Sequence, residues 1–232
     1  TVYDMETLKK GLLDVSDQTG VAADQLAESM YNALSASVEL GEDGADMMAF
    51  LKSNTVLAKV GFTDIDTAVT ATAKTLNAYG MDVSETDRIH KVLLQTQNKG
   101  IATVDELGQN LAKVTPTAAA MGVSFENVGA SLATMTAQGT PAAQATTQLN
   151  ALISELGKEG TKSSDILKKK TGKSFKGLME SGMSLSDVLA LMQVDLSENA
   201  QAISDLMSET DKATGSTMTF EEACAQLGLS TG

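Results

Sequence analysis

The stretch that begins GFTDIDTAVTATAKTLNAYGMDVS at residue 61 and runs to Gly157 decides the fold. Its glycines recur about every twenty residues, at positions 61, 80, 100, 122, 139 and 157. A glycine just past a helix end adopts the left-handed conformation cheaply, and the next side chain can fold back on the last turn. The apolar residues after the first four glycines are Phe62, Met81, Ile101 and Val123. This spacing predicts five helices of about four turns joined by short links, with Gly108 and Gly129 inside helices.

Side chains that can cap a helix follow these glycines. They are Asp64, Ser84, Thr103, Ser124 and Thr140. Each can accept a hydrogen bond from a free N–H group of the next helix, and Thr103-Val-Asp-Glu106 has the spacing of a capping box. Pro141 is predicted at the first helical position. Pro116 is predicted to kink the helix that starts at Thr103, or to end it near Val114 and restart it.

Apolar residues at helical spacing predict further helices on both sides of this stretch. Before it we expect helices over 4–18 (capped by Asp4), up to about 38, and over 45–60. Their predicted buried residues are Met5, Leu8, Leu12 and Val15, then Leu26, Met30 and Leu34, then Met47, Met48, Leu51, Leu57 and Val60. After it we expect helices at about 163–170, 174–181, from 185, over 197–209, and from the capping box that begins at Thr219.

The predicted fold class is all-α: an array of antiparallel helices joined by short glycine-containing links, with no sheet. Residues 157–177 are rich in Gly, Ser and Lys, so the amino-acid composition changes after the central stretch. We expect a main helical domain at 1–157 and a smaller helical segment at 158–232, either separate or packed on the first as one unit. Residues 211–218 are predicted to form an exposed loop.

Composition excludes several classes of function. The net charge is −13 and Arg88 is the single arginine, so specific nucleic-acid binding is not expected. The single cysteine, Cys224, excludes an internal disulfide. No apolar run approaches the roughly twenty residues that span a bilayer, so no membrane contact is expected from this chain. Because the chain begins at Thr1, we expect it to be a piece of a longer polypeptide.

The residues that could carry chemistry are isolated from one another. Structural zinc takes four ligands and catalytic zinc three, and the chain has one histidine, His90, and one cysteine. His90 is therefore interpreted as a surface or half-buried helix residue. Asp105 and Glu106 are adjacent, so on a helix their side chains diverge by about 100° and do not form a catalytic pair. We predict no catalytic, cofactor-binding or metal-binding residues, no cofactor and no enzymatic activity.

Two segments resemble ligand-binding loops but lack essential positions. Gly172-Lys173-Ser174 would need a glycine where Leu167 stands to form a phosphate-binding loop, so a helix link is predicted. The segment 211–222 has Asp and Glu at the ends of a calcium loop. Ala213 and Gly215 occupy its ligand positions, and Ser216 replaces the turn glycine. We interpret that segment as a loop before the helix from Thr219.

Seven lysines form a local cationic patch in this acidic chain. They stand at positions 158, 162, 168, 169, 170, 173 and 176. We interpret the patch as a solvated helix face whose last lysines favour the helix dipole. Contact with DNA or with an acidic protein wall is the alternative.

Several motifs of the central stretch resemble one known family. They are Asn54-Thr-Val-Leu-Ala-Lys-Val-Gly-Phe62, Ala68-Val69 leading to Leu76-Asn-Ala-Tyr-Gly80, Thr103-Val-Asp-Glu-Leu107, Ala118-Ala-Ala-Met-Gly-Val-Ser-Phe-Glu126, and Ala133-Thr-Met-Thr-Ala-Gln-Gly139 leading to Ala145-Thr-Thr-Gln-Leu149. In order and spacing they are similar to the core of phage tail tape measure proteins, also called phage minor tail proteins. The likeness covers about residues 19–192, is strongest over 54–157, and fades after 192.

The resemblance implies a structural role. Tape measure proteins occupy the lumen of a phage tail, and their length sets the length of the tail tube. By this likeness the chain is a helical fragment of a phage or prophage protein that takes part in tail assembly and DNA ejection. Implied partners are the tail tube, tail assembly chaperones, the tail tip and other copies of itself. The implied location is the tail lumen of the virion, and the bacterial host cytoplasm before assembly.

Two other hypotheses stay open at this point. A helical protein-binding adaptor without catalytic activity would use a groove between helix pairs. An enzyme would need a deep pocket lined by several titratable groups with perturbed pKa values.

Overall fold

A computed structural model describes residues 4–36, 38 and 44–192, and the regular elements in these ranges are all helical. The helices are α1 (Met5–Thr19), α2 (Ala23–Ser35), α3 (Ala45–Val60), α4 (Ile65–Tyr79), α5 (Thr86–Lys99), α6 (Val104–Asn110), α7 (Thr115–Ala120), α8 (Phe125–Ala137), α9 (Ala142–Gly157), α10 (Lys162–Thr171), α11 (Phe175–Glu180) and α12 (Leu185–Met192). Short 3₁₀ turns occupy Val83–Glu85 and Leu111–Lys113. The all-α prediction is confirmed, and the antiparallel arrangement stays a prediction.

The chain forms two compact units, residues 1–185 and residues 186–232. Within the first unit, α10 and α11 both pack against α9. The domain boundary predicted after residue 157 stays a prediction. The helices predicted over 197–209 and from Thr219, and the loop predicted at 211–218, lie outside the described residues.

Helix α4 lies at the centre of the first unit. It contacts α2, α3, α5, α6 and α7, so it is buried on several sides. Its buried residues are Ile65, Ala68, Val69, Ala71, Thr72, Ala73, Thr75 and Leu76. Most of these side chains are small, and small side chains allow neighbouring helix backbones to approach closely.

Threonine occupies many buried helix positions because its hydroxyl can bond within its own helix. The hydroxyls of Thr72, Thr75 and Thr96 donate to the carbonyl four residues earlier, at 2.7–2.8 Å. Thr136 and Thr146 do the same on α8 and α9. A buried hydroxyl that is satisfied in this way avoids the cost of an unpaired polar group, so threonine acts here as a small core residue.

The predicted helix caps are partly confirmed. Asp4, Asp64 and Ser124 cap α1, α4 and α8, and Thr103 with Glu106 forms the capping box of α6. The caps predicted at Ser84 and Thr140 are wrong. The carboxylate of Asp82 instead caps the 3₁₀ turn at 83–85, and α5 follows it without a side-chain cap.

The backbone of Thr140 is hydrogen-bonded to the end of the preceding helix, α8. Its N–H donates to the carbonyl of Met135 and so closes the end of α8. Pro141 takes the N-cap position of α9, one residue before the predicted position.

Pro116 ends one helix and starts another, as predicted. The chain leaves α6 at Asn110, passes through the 3₁₀ turn, and enters α7 at Thr115. Proline has no N–H to donate and its ring crowds the preceding turn, but both features are tolerated in the first turn of a new helix.

The glycines of the central stretch have two different roles. Gly80, Gly122 and Gly139 have positive φ, as predicted, with values of 60°, 73° and 94°. The prediction is wrong at Gly61, with φ −86°, and at Gly100, with φ −103°. Gly157 is the last residue of α9.

Gly61 and Gly100 are required for space. A Cβ atom on Gly61 would lie 2.8 Å from Cβ of Val104, and one on Gly100 would lie 3.0 Å from Cα of Ala133. The left-handed residue at the end of α3 is Phe62, with φ 54°. Phe62 and Ile101 are 84% and 74% exposed, so neither folds back on the preceding turn as predicted.

The predicted buried stripes need correction on the first three helices. Met5, Leu34 and Val60 are exposed, and Met30 and Met48 are only half-buried. On α2, which ends at Ser35 and not near residue 38, the buried residues are Leu26, Ser29 and Ala33. The Ser29 hydroxyl donates to Asp66 on α4, so a polar contact and small side chains determine which face of α2 is buried.

Truncation of a core leucine tests the assignment of buried faces. Leu132 on α8 is fully buried, and we expect Leu132→Ala to lower the free energy of unfolding by roughly 2–5 kcal/mol. Leu34→Ala at the exposed position on α2 is the control, with an expected change below about 0.5 kcal/mol. Urea unfolding followed by circular dichroism measures both, and equal effects would contradict the assignment.

A pair of glycine substitutions tests close helix packing. A Cβ atom on Gly129 of α8 would lie 2.5 Å from Cγ1 of Val92 and 2.8 Å from Oγ1 of Thr96, both on α5. We therefore expect Gly129→Ala to destabilise the chain by about 1–3 kcal/mol.

The matched control is Gly177→Ala on α11, where the nearest atom would be 3.4 Å away. Alanine is the better helix former, so this change should be neutral or stabilising by up to about 1 kcal/mol. Thermal unfolding of both variants gives the comparison. Stabilisation by Gly129→Ala would show that α5 and α8 are not in close contact.

Candidate functional site

His90 lies at the meeting point of α3, α4 and α5, where it is 7% exposed. The interpretation of His90 as a surface or half-buried residue is therefore wrong. The lack of possible metal ligands says nothing about burial, and the faces of α3 and α4 that cover the imidazole are not evident from the sequence of α5 alone.

The imidazole belongs to a polar network that joins three helices. Its Nε2 atom lies 3.2 Å from Oδ1 of Asn54 on α3 and 3.1 Å from the hydroxyl of Thr72 on α4. Oγ1 of Thr72 also lies 2.8 Å from Oδ1 of Asn54, so its single proton is shared between that oxygen and the Ala68 carbonyl. The Asn54 amide donates to the carbonyl of Phe50 at 2.9 Å. Every member is partnered, which is what burial of polar groups requires.

The second imidazole nitrogen faces a less buried pair of groups. Nδ1 of His90 lies 3.2 Å from the hydroxyl of Ser53, and that hydroxyl donates to Asp87 at 2.8 Å. Either tautomer of the neutral imidazole finds a partner: a proton on Nε2 donates to the Asn54 oxygen, and a proton on Nδ1 donates to the Ser53 oxygen. Burial lowers the pKa of His90 to about 4, and the nearby Asp87 carboxylate only partly opposes this effect.

This arrangement does not have the order of a catalytic triad. In a triad the imidazole stands between the hydroxyl and the carboxylate and takes the hydroxyl proton. Here the Ser53 hydroxyl stands between them and donates to Asp87, and a carboxylate is a weak base toward a hydroxyl at neutral pH. The geometry supports a structural role in joining α3, α4 and α5.

Ser53 and Asp87 also line a shallow cleft of about 490 Å³ between α3 and the start of α5. Asp46 and Asp82 stand at its rim, and Phe50 and Val83 are among its apolar lining. Hydrogen bonds from Ser84 lower the pKa of Asp82, which keeps it ionised and does not poise it for acid–base chemistry. The cleft lacks the several perturbed groups that the enzyme hypothesis needs.

The other residues singled out in the sequence have structural partners. Gly172, with φ 71°, ends α10, and Ser174 caps α11, so the predicted helix link is confirmed there. Asp105 accepts a hydrogen bond from Thr63, and Glu106 serves the capping box of α6.

The described ranges hold neither a metal-ligand cluster nor a membrane-spanning helix. The calcium-like segment 211–222 and Cys224 lie outside them. Within residues 4–36, 38 and 44–192, no three His, Cys, Asp or Glu side chains are grouped to hold a metal ion. None of the helices in these ranges combines the length and apolarity needed to cross a membrane.

One ion pair between helices has no signal in the sequence. Arg88 on α5 holds both carboxylate oxygens of Glu126 on α8, at 2.6 and 3.1 Å, and also reaches Glu85 at 3.0 Å. The Arg88 guanidinium lowers the pKa of Glu126. The 38 residues between the partners left no pattern from which the pair could be predicted, and its exposure keeps its contribution small.

Exposed apolar residues and a run of exposed lysines are available for contact with other molecules. Val60, Phe62 and Ile101 are exposed apolar residues near the contact between the α3–α4 link and α6. That contact is made by Gly61 against Val104 and by the Thr63–Asp105 hydrogen bond. The seven lysines of 158–176 are exposed on and beside α10 and α11, as the sequence predicted.

Comparison with known proteins decides the family. The profile of the family described as "Phage-related minor tail protein" matches residues 9–224. The chain belongs to this family. The match confirms the resemblance and extends it beyond residue 192, where the likeness was expected to fade.

Two phage proteins are similar to this chain over much of its length. A probable tape measure protein of Clostridium phage phiCD119 is 55% identical over 217 residues, which are 91% of this chain and 23% of the relative. The tape measure protein of Pneumococcus phage Dp-1 is 26% identical over 158 residues, 68% of this chain and 13% of the relative.

The chain thus spans less than a quarter of the length of these relatives. No solved structure matches it. Membership in the minor tail protein family indicates that the chain is a structural component of a phage tail.

The buried histidine predicts a pH dependence of stability. Its folded pKa of about 4 lies below the unfolded value of 6.5, so between these values the unfolded chain binds more protons. The stabilisation is complete above pH 6.5 and is lost as the pH falls toward 4, by up to about 3 kcal/mol.

His90→Gln should remove most of this dependence, since glutamine does not titrate. Urea unfolding of both chains at pH 7 and pH 4.5 measures the difference in slope. The control is Lys91→Gln at the exposed neighbouring position, which should keep the wild-type dependence on pH. Equal slopes for wild type and His90→Gln would contradict the burial of a neutral imidazole.

Proposed function

We propose that this chain is a helical structural segment of a phage tail tape measure protein. The observation that carries the proposal is the 55% identity, over 91% of the chain, with a probable tape measure protein. Identity at this level over almost the whole chain supports the same role in the same kind of particle. Because the relatives are more than four times longer, we infer that the length-setting part lies mainly in another region of the parent protein.

The geometry supports a role through contact and not through chemistry. The buried polar groups around His90 are satisfied by one another, and the carboxylates of Asp4, Asp64 and Glu106 hold helix ends. The described residues offer outward exposed apolar side chains, among them Phe62, Ile101 and Tyr31, and the lysines on and beside α10 and α11. Exposed apolar and charged patches of this kind are typical of protein contact surfaces.

In this proposal the parent protein lies in the lumen of the tail tube in the virion. Before assembly it is in the host cytoplasm, where it meets the tail assembly chaperones. Its length sets the length of the tube, and it takes part in tail assembly and DNA ejection. The contacts of this segment with the tube, the tail tip or other copies would be made by its helix faces.

Tail length in electron micrographs tests the proposal. In the phage or prophage that encodes the chain, we expect an in-frame deletion in the parent gene outside this segment to shorten the tail in proportion to the residues removed. The control is an in-frame insertion of equal length at the same site, which should lengthen the tail by the same amount. Tails of unchanged length in both particles would contradict the proposal.

The adaptor hypothesis makes a different prediction for the isolated chain. An adaptor for a host protein should capture one specific partner from extract of uninfected host cells. A tail component should not, and it should be retained instead by extract of cells that express the phage tail genes.

A further inference from the structure

A groove follows the contact between α3 and α5. Its first part is the cleft of about 490 Å³ beside the start of α5, and a second cleft of about 360 Å³ adjoins it. The two clefts share Ser53, Val56 and Asp87, so they form one continuous depression, which we call the α3–α5 groove. Its lining on α5 extends from Asp87 to Asn98, a length of about 16 Å at the helical rise per residue.

Most of the surface inside the α3–α5 groove is apolar. Phe50 and Leu57 are buried at its floor. Val56 lines both clefts and is 55% exposed. Because burial of apolar surface is favourable, a partner that covers Val56 would gain free energy.

Three carboxylates line the first cleft, those of Asp46, Asp82 and Asp87. Among the described residues, none of the three forms an ion pair. Lys52 lines the same cleft, but its ammonium group donates to the side chain of Gln18 on α1 at 2.7 Å. One end of the groove therefore presents uncompensated negative charge beside apolar surface.

A helix is the occupant that this shape favours. A groove between two packed helices accepts the apolar stripe of a third helix, and about 16 Å corresponds to about three helical turns. Addition of a β-strand needs an exposed sheet edge, and the described residues form no strand. A proline-rich segment needs exposed aromatic rings, and the groove's one Phe, Tyr or Trp side chain, that of Phe50, is 2% exposed.

Charge determines which kind of helix fits. The second cleft contains one carboxylate and one ammonium group, those of Asp87 and Lys91, so the negative charge is concentrated in the first cleft. Nucleic acid and anionic lipid would meet this charge with the same sign, and the net charge of −13 adds to their repulsion. The same field attracts a cationic partner.

We propose that the α3–α5 groove binds an amphipathic helix of a partner protein. An apolar side chain of that helix covers Val56, and a lysine or arginine next to its apolar stripe meets the carboxylates of Asp46 and Asp82. The inference does not rest on the tail function, because a tail component and an adaptor would both use the groove in this way.

A synthetic peptide tests the proposal on the isolated 232-residue chain. It is a helix of about fourteen residues, with leucine at every third or fourth position and lysine on both sides of that stripe. We expect one-to-one binding by calorimetry, weakened by about tenfold or more when glutamate replaces the lysines of the peptide. Absence of binding, or equal binding of both peptides, would overturn the proposal.

His90 reports where the peptide binds. It is the single histidine of the chain and borders the second cleft, so its ring signals can be followed alone by nuclear magnetic resonance. These signals should shift as the lysine peptide is added and should saturate at one peptide per chain. Binding that leaves them unchanged would place the peptide elsewhere and overturn the proposal.

Two matched pairs of variants locate the contact. Val56→Gln should weaken peptide binding by about tenfold, while Val60→Gln, at an exposed position of α3 outside the groove, should bind as wild type does. Asp46→Asn in the first turn of α3 should weaken binding by about threefold at low salt, and Asp24→Asn in the first turn of α2 should not. Equal effects within either pair would overturn the proposal.

Folding and self-association are measured on the same variants. Val56 and Asp46 are exposed, so their substitution should change the free energy of unfolding by less than about 0.5 kcal/mol. Urea unfolding followed by circular dichroism checks this. Sedimentation velocity should show no association of the wild-type chain through the groove. Self-association that Val56→Gln abolishes would assign the groove to a second copy and overturn the proposal.

Discussion

The close approach of five helices to α4 is the constraint on which the rest of the structure depends. It requires small side chains on α4, such as Ala68 and Ala73, and it requires glycine where a neighbouring helix comes nearest. On α6, for example, a Cβ atom on Gly108 would lie 2.8 Å from the Thr67 methyl group of α4. Dense packing of this kind derives its stability from many short contacts between small groups, so loss or addition of one methyl group is felt.

The same constraint explains why polar groups are buried next to α4. Threonine is close to valine in size, and its hydroxyl is satisfied by its own helix, so Thr72 and Thr75 fit where space is short. The network of Asn54, Thr72 and His90 extends this pattern across three helices. Hydrogen bonds have preferred angles and distances, which apolar contacts lack. A fully partnered network therefore specifies how α3, α4 and α5 pack against one another.

The helices themselves could be predicted from the sequence, because glycine spacing, capping residues and apolar periodicity are local signals. The role of each glycine could not. Gly61 and Gly80 stand in similar surroundings in the sequence, yet one makes room for Val104 and the other takes a left-handed turn. The exposure of the lysines could be predicted, because so many charged side chains in one short segment cannot all be buried. The His90 network could not be predicted, because Asn54, Thr72 and His90 are far apart in the chain and only the packing of three helices brings them together.

Native-state hydrogen exchange tests the central position of α4 most directly. Amides that open only on global unfolding exchange most slowly, and in this structure they should be concentrated in Ile65–Tyr79. Helices at the edge of the unit, such as α1 and α10, should exchange faster by local opening. If the amides of α4 exchange as fast as those of α1 and α10, the account of a fold organised around α4 is contradicted.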